Sequence, residues 1–374
     1  MFLGLLALIA ASIVWLPALH LLYARKPPAQ KLAARQLALW ADPTARGAEI
    51  AKMRGTNAEW DFMARSFLVW SLANVALRDP GGKIDALRVI DQIIDETLAL
   101  EKSRGMWVFL MPYSRDKPWI DQPRSQFVDG ELALMLALRC LVEDRPAYRE
   151  ILRERVALME ARMRRSPVLS AESYPDECWT FCNTVALAAM RVADHLDGSD
   201  HSPLFREWVA IARKKLVHPE TGLLVSSYTR AGEPLNGPEG SSIWMAVHCL
   251  QLIDEPFARD QYQRARRELG REVLGFGYAA EWPRSWRGPR DVDSGPVIPL
   301  LDASPGSSGL AFVGAASFGD EDYLRRLSTT LELAGFPIEE NGTLRYAASN
   351  QVGDAVMLYA MTLGPAWEKV KAVR

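Results

Sequence analysis

The chain of 374 residues is short of cysteine, of histidine and of any surplus charge. Four cysteines cannot form a disulfide framework, and at this length a large apolar core is available without one. Forty-four Lys plus Arg stand against 46 Asp plus Glu, a net charge of −2, so the basic excess that nucleic-acid binding needs is missing. No P-loop and no paired-histidine zinc motif is present, and the five histidines are scattered. Gly275, Gly277 and Ala280 mimic a dinucleotide fingerprint, but Pro283 stops any helix that would follow them. Cys178 and Cys182 are one helical turn apart without a second ligand pair, so neither a metal nor an organic cofactor is expected. Asn341-Gly342-Thr343 reads as a tight turn ahead of a glycosylation acceptor.

Charge is also absent locally. From Phe2 to Ala24 no ionisable side chain other than His20 and Tyr23 occurs. At 1.5 Å per residue such a run spans a hydrocarbon core of roughly 30 Å. It lacks the basic start and small-residue cleavage site of a secretory signal, so residues 1–24 are expected to form an uncleaved anchor or signal. Arg25, Lys26, Lys31 and Arg35 follow it, and the positive-inside rule puts the body on the cytoplasmic side of an inner membrane. Pro27 and Pro28 end the run, and residues 25–55 read as a connector with a short helix from Lys31 to Trp40.

Residues 56–374 contain helix-length segments of two alternating kinds. Ser66–Leu77, Glu131–Leu141, Thr184–Ala193, Ile243–Leu252, Gly309–Ala316 and Ala355–Leu363 are apolar nearly all round. Lys83–Lys102, Tyr148–Arg165, Leu204–Leu216, Ala258–Glu272 and Glu321–Leu333 carry a charged face. Helices of the first kind must be buried and those of the second lie at the surface. The alternation predicts an all-α (α/α)6 barrel, a toroid of helical hairpins with an inner and an outer ring.

In such a toroid the inner helices all start at one end of the funnel, where unpaired N–H groups converge. The polar residues at those starts, with the aromatic residues beside them, are the candidate site. They include Trp60, Asp61 and Phe67 on the first inner helix and Asp129 and Glu131 on the second. Tyr174, Asp176, Cys178, Cys182 and Asn183 surround the third, Glu239 and Ser241 the fourth, and Asp354 the sixth. Long loops, Met106–Ser125 and Phe276–Pro305, are expected to rim the mouth, the second bringing Trp282 and Asp293. Capping alone would explain part of this polarity, since an N-cap side chain contributes ~1 kcal/mol without any other role.

Glu59-Trp60-Asp61-Phe62-Met63 with Ser71-Leu72-Ala73-Asn74-Val75-Ala76-Leu77, Gly130-Glu131-Leu132-Ala133-Leu134-Met135, and Cys182-Asn183 resemble the first three inner helices of the linalool dehydratase–isomerase family. The resemblance covers residues 56–255. It implies an (α/α)6 barrel with a cofactor-free pocket that dehydrates and isomerises a terpene alcohol. It places Asp61 as the acid/base aspartate and Cys182 as a pocket cysteine. It also departs from the family: the aromatic hydroxyl six residues after the aspartate falls on Phe67, and the pocket histidine falls near Glu131. The family's other cysteine falls to Ser173 or Cys178.

The expectation is therefore a membrane-anchored lyase or isomerase using Asp61, Glu131 and Cys182 on a small organic molecule. The oligomeric state is left open, a homo-oligomer included. A glycan-processing enzyme on the same barrel, or a silent binding scaffold, are the alternatives.

Overall fold

A computed structural model describes residues 2–23, 28–290, 292 and 294–372, without the side chains of Pro17, His20, Leu21 and Leu22. Three helices open the chain: α1 (Phe2–Tyr23), α2 (Ala29–Ala41) and α3 (Pro43–Thr56). Hairpins of one inner and one outer helix follow. They are α4 (Ala58–Arg78) with α5 (Lys83–Arg104), α6 (Gln126–Val142) with α7 (Pro146–Arg164), and α8 (Thr180–Asp197) with α9 (Ser202–Lys215). Then come α10 (Gly240–Leu250) with α11 (Glu255–Glu268), α12 (Pro305–Phe318) with α13 (Glu321–Ala334), and α14 (Gln351–Thr362) with α15 (Pro365–Lys371).

The even-numbered helices from α4 to α14 pack side by side in order, and α14 closes the ring against α4. Their burial is nearly complete, as apolar surface on every face requires: residues 126–141 of α6 are all buried. The amphipathic helices lie outside. The sixth outer position is filled by α2 and α3, which pack on α14 and α4. The last helix, α15, instead touches α4 and α8 across the ring and closes its floor. There Trp367 stacks on His248, ring centroids 4.6 Å apart, and donates to the His248 carbonyl at 3.2 Å.

The two ends of the ring are built differently. Turns from an inner to an outer helix (79–82, 143–145, 198–201, 251–254, 319–320) have two to four residues. They are pinned by aspartates: Asp254 and Asp320 cap α11 and α13. Connections back to an inner helix, that from α3 to α4 excepted, are long and hold all the β-structure of the described residues, which the sequence pattern does not show. An antiparallel sheet runs β1 (Cys178–Trp179), β2 (Ser227–Tyr228), β3 (Pro234–Asn236), with Cys178 opposite Tyr228. Two hairpins are β4 (Gly270–Val273) with β5 (Phe276–Ala279), and β6 (Pro337–Glu340) with β7 (Thr343–Tyr346). Asn341-Gly342 forms the second hairpin's turn with positive φ at both residues, as that dipeptide favours.

Helix α1 lies against α13. Its half-buried Ser12, Leu16, Leu19 and Tyr23 recur at helical spacing, while residues 2–11 are exposed. Among the described residues no helix is long and apolar enough to cross a membrane. The described side chains of α1 run unbroken only from Phe2 to Leu16, and the expected span reaches Ala24, outside the described residues.

Candidate active site

The inner-helix starts enclose a cavity of about 610 Å³ that opens at the long-loop end. Its wall is largely apolar: Met63 from α4, Phe127 from α6, Phe181 from α8, Leu310 and Phe312 from α12, Val356 and Met357 from α14. Tyr113, Tyr174, Trp179, Tyr278 and Ile298 stand at its rim. Among the described residues Glu59 is the single carboxylate in this wall and Lys52 the single cation.

Glu59 sits in the first turn of α4, where Asn57 caps the helix by accepting the Glu59 N–H at 2.8 Å. Its carboxylate accepts a short hydrogen bond from the Tyr174 hydroxyl. The same hydroxyl accepts the Met111 N–H at 3.0 Å, and the Tyr174 ring stacks on Tyr113 with centroids 4.6 Å apart. Burial and the Glu59 charge push the Tyr174 phenol far up, so it stays protonated.

Cys182, in the first turn of α8, faces the cavity. Burial is the chief cause that pushes its thiol well up and holds it protonated. Glu131 lies just behind the wall with no exposed surface and no hydrogen-bond partner for either carboxyl oxygen. Burial raises its pKa to about 8; Ser66, whose hydroxyl is given to the Phe62 carbonyl at 3.0 Å, offsets only part of this. Glycine at 130 makes that neighbourhood possible: a Cβ there would lie 3.2 Å from the Cys182 carbonyl and 3.3 Å from Ala186.

Asp61 faces away from the cavity. Its carboxylate is paired with Arg65 at 2.8 Å and Arg54 at 2.5 Å, in a hollow beside Trp40 and Gln351. The reason is helical geometry. Two residues apart means about 200° of rotation, so α4 can aim Glu59 or Asp61 at the funnel but not both. Phe67 is packed on Trp70 and Tyr359 (4.8 and 5.7 Å) and is absent from the cavity wall.

Other expected site residues serve the frame. Asp129 is held by Arg124 at 2.6 Å, Arg155 at 2.6 Å and Arg162 at 3.5 Å, and has no exposed surface. Asn183 ties down Ala171, accepting its N–H at 2.9 Å and donating to its carbonyl at 3.1 Å. Asp176 accepts the Arg230 N–H at 3.0 Å, and Cys178 is buried in β1. Trp282 is buried against Trp286, centroids 5.4 Å apart, and Glu239 occupies the N-cap position of α10 outside the wall.

Trp60, Tyr174, Cys182 and Ser241 do line the cavity. Ser241 donates to Glu281 at 2.5 Å, and Ser304 donates to the same carboxylate at 2.6 Å, so Glu281 ties α10 to α12 at the rim. Asp354 lies behind the Val352–Gly353 part of the wall; burial raises its pKa to about 7, and its Oδ1 has no partner. Asp293 lies outside the described residues. Capping of α12 and α14 falls to Ser304 and Asn350, leaving Asp354 free of that role. Among the described residues no His, Cys, Asp or Glu group of three converges as a metal would require.

Glu59, which opens the first family-like motif, Tyr113 in the first long loop and Glu281 in the second are not among the candidates that the sequence offers. Glu59 was within reach, being in the same first turn as Asp61. Tyr113 and Glu281 sit in irregular loops without a period to read.

Solved structures share the barrel. An unsaturated glucuronyl hydrolase from Bacillus sp. GL1 superposes with a TM-score of 0.54 at 11% identity, covering 82% of this chain and 86% of that one. The GH76A α-1,6-mannanase from Salegentibacter sp. HEL1_6 gives 0.51 at 10% identity, covering 85% and 89%. A family 105 glycoside hydrolase from C. acetobutylicum ATCC 824 gives 0.51 at 13%, covering 89% and 99%. At such identities the likeness concerns the fold alone. A model of the family described as linalool dehydratase/isomerase matches residues 147–352, from α7 to the first turn of α14. Cys182 lies inside that match, and Glu59 and Glu131 precede it. More than half of the chain is matched, and the protein belongs to the linalool dehydratase/isomerase family.

Proposed function

We propose that the protein is a lyase or isomerase that acts by acid/base chemistry on a small, largely apolar alcohol of terpenoid type, held at a membrane by α1. The observation that carries this reading is the cavity: an apolar chamber in which one carboxylate, Glu59, is hydrogen-bonded by Tyr174 and faces Cys182, with Glu131 behind. The two carboxyl groups have different environments, which is how one site supplies both an acid and a base.

Glu131 is protonated at neutral pH and is the proton donor, acting on the leaving hydroxyl through or beside the Cys182 thiol. Glu59, positioned by Tyr174, removes a proton from the neighbouring carbon. The C–O bond breaks, an alkene forms and water leaves. Return of the proton from Glu59 to Glu131 resets the site, and water adding at the other end of the allylic system gives isomerisation. Asp61, paired with two arginines outside the cavity, takes no part in this scheme. The apolar wall binds the hydrocarbon body and excludes bulk water.

Replacing Glu59 or Glu131 by glutamine and following loss of terpenoid alcohols by gas chromatography tests the assignment. Full turnover in both variants would sink it. A glycosidase of the inverting kind needs two carboxyl groups about 6.5–9.5 Å apart across a groove. The wall offers one among the described residues, which favours the lyase reading. Support for the anchor is the exposed apolar surface of α1, with Leu3 80% and Phe2 73% exposed. The flanking charges favour the cytoplasmic side of an inner membrane.

A further inference from the structure

Scattered exposed apolar residues are ordinary on a protein surface. Here they are not scattered. Outside α1, every large apolar side chain that is exposed among the described residues, save Ile84, lies at the mouth end of the barrel. They come from four of the connections around the rim: Ile120 before α6, Leu235 in β3 before α10, Leu300 and Leu301 before α12, Phe336 before α14. Leu300 is 99% exposed and Phe336 64%.

Two of these residues are held out at a cost. Phe336 and Leu274 have φ near +50°, a conformation that bulky side chains rarely adopt. Charges of both signs stand in the same loops: Arg115 and Lys117 with Asp116 beside Ile120, Arg284, Arg287 and Arg290 with Asp291, Asp293 and Asp302 around Leu300, and Glu233, Glu272, Glu339 and Glu340 beside Leu235, Leu274 and Phe336. Asp302 is 3.9 Å from Arg290, and no ion pair of Arg287 is seen among the described residues. Apolar tips interleaved with charges of both signs suit a bilayer of zwitterionic headgroups, which takes the first into its acyl boundary and leaves the second among the headgroups.

We propose that the mouth end of the barrel is a bilayer-docking face, so that the cavity exchanges its ligand with the lipid phase. The proposal rests on the anchor reading of α1. That helix lies against α13, whose Leu327, Thr330, Leu331 and Ala334 line the cavity on its other side, so the anchor and the mouth flank one helix. A lipid-dissolved alcohol then reaches Glu59 past Ile298 without crossing water.

The test uses the full chain in phosphatidylcholine vesicles. L300C and I120C place nitroxide labels on opposite sides of the rim, and D144C places one in the closed-end turn between α6 and α7. The four native cysteines are buried, and wild-type protein labelled in parallel gives the background. Accessibility to oxygen against a water-soluble nickel chelate is read by electron paramagnetic resonance. The expected result is a several-fold higher oxygen-to-nickel ratio at both rim labels than at position 144.

Rim labels as wet as position 144, on protein that floats with the vesicles, would overturn docking and leave the anchor standing. Dipolar broadening between rim labels would overturn it too, assigning the face to a second copy. Protein that fails to float removes anchor and docking together. Turnover is not read, so the acid/base assignment stands or falls separately.

Discussion

The two ends of the ring differ in almost every respect that physical chemistry can register. The closed end has tight aspartate-pinned turns, the α15 plug and a fully satisfied buried network: His248 bonds Ser317 and Tyr359, both at 2.7 Å, under Trp367. At the mouth end lie all six non-glycine residues with positive φ among the described residues, Leu169, Asp176, Leu274, Asp302, Phe336 and Asn341. The unpartnered carboxyl oxygens of Glu131 and Asp354 belong to the inner-helix starts. Strain and unsatisfied polarity thus collect where the cavity is, and the opposite end supplies the stability that tolerates them.

The largest expected effect breaks the mouth chemistry while leaving the closed end intact. Removing a positioned acid or base typically loses 10²–10⁴-fold in rate. E59Q is expected to lose turnover on that order with little change in melting temperature, because glutamine keeps the shape of the side chain and still accepts the Tyr174 hydrogen bond. Y174F is expected to lose less, since Tyr174 positions Glu59. The converse experiment is W367A. Truncating a buried tryptophan costs about 3–5 kcal/mol, so chemical denaturation should show a large loss of stability with kcat retained in the folded fraction.

Protonation separates the ends next. Glu131 has a folded pKa of about 8 against an ordinary 4.5, so the folded state holds an extra proton between those values. Stability from this residue is therefore highest below pH 4.5 and falls as pH rises towards 8, by a few kcal/mol. His248 is shifted the other way, to about 3 from 6.5, chiefly by burial. Its contribution is complete above pH 6.5 and falls as the solution is acidified towards pH 3. Melting temperature against pH should thus lose its alkaline slope in E131Q and its acid slope in H248Q. Parallel curves for wild type and E131Q would mean that Glu131 is ionised or solvated in the fold.

Much of the architecture was legible in the residues because a helix spreads its period over many positions. Burial all round in α6 and a charged face on α7 announce inner and outer rings without reference to any loop. Strands of two to four residues offer no alternation to read, and so β1–β7 went unseen apart from the Asn341-Gly342 turn. The cluster of helix starts at the funnel mouth was legible, but rotation decides which side of α4 faces the cavity: it turns Glu59 inward and Asp61 towards Arg54 and Arg65 on the outer side. The short helix from Lys31 to Trp40 was seen and lies within α2, whereas α15 could not be told from an outer helix by composition, since its role is set by what it covers.

The smallest effect sharpens the comparison most finely. G130A adds one methyl group where α6 meets α8 at the level of Glu131 and Cys182. Helix propensity favours alanine by about 1 kcal/mol. Against that, the new Cβ meets the Cys182 carbonyl at 3.2 Å and the Ala186 amide nitrogen at 3.3 Å, both backbone atoms of a packed helix that give way poorly. Overpacking of this kind costs roughly 1–3 kcal/mol, so a net loss near 1 kcal/mol is expected. The informative readout is kcat, because widening the α6–α8 contact by a few tenths of an ångström moves Glu131 away from the thiol it serves. A drop in kcat out of proportion to the stability loss ties the acid to that contact; turnover equal to wild type would detach Glu131 from Cys182.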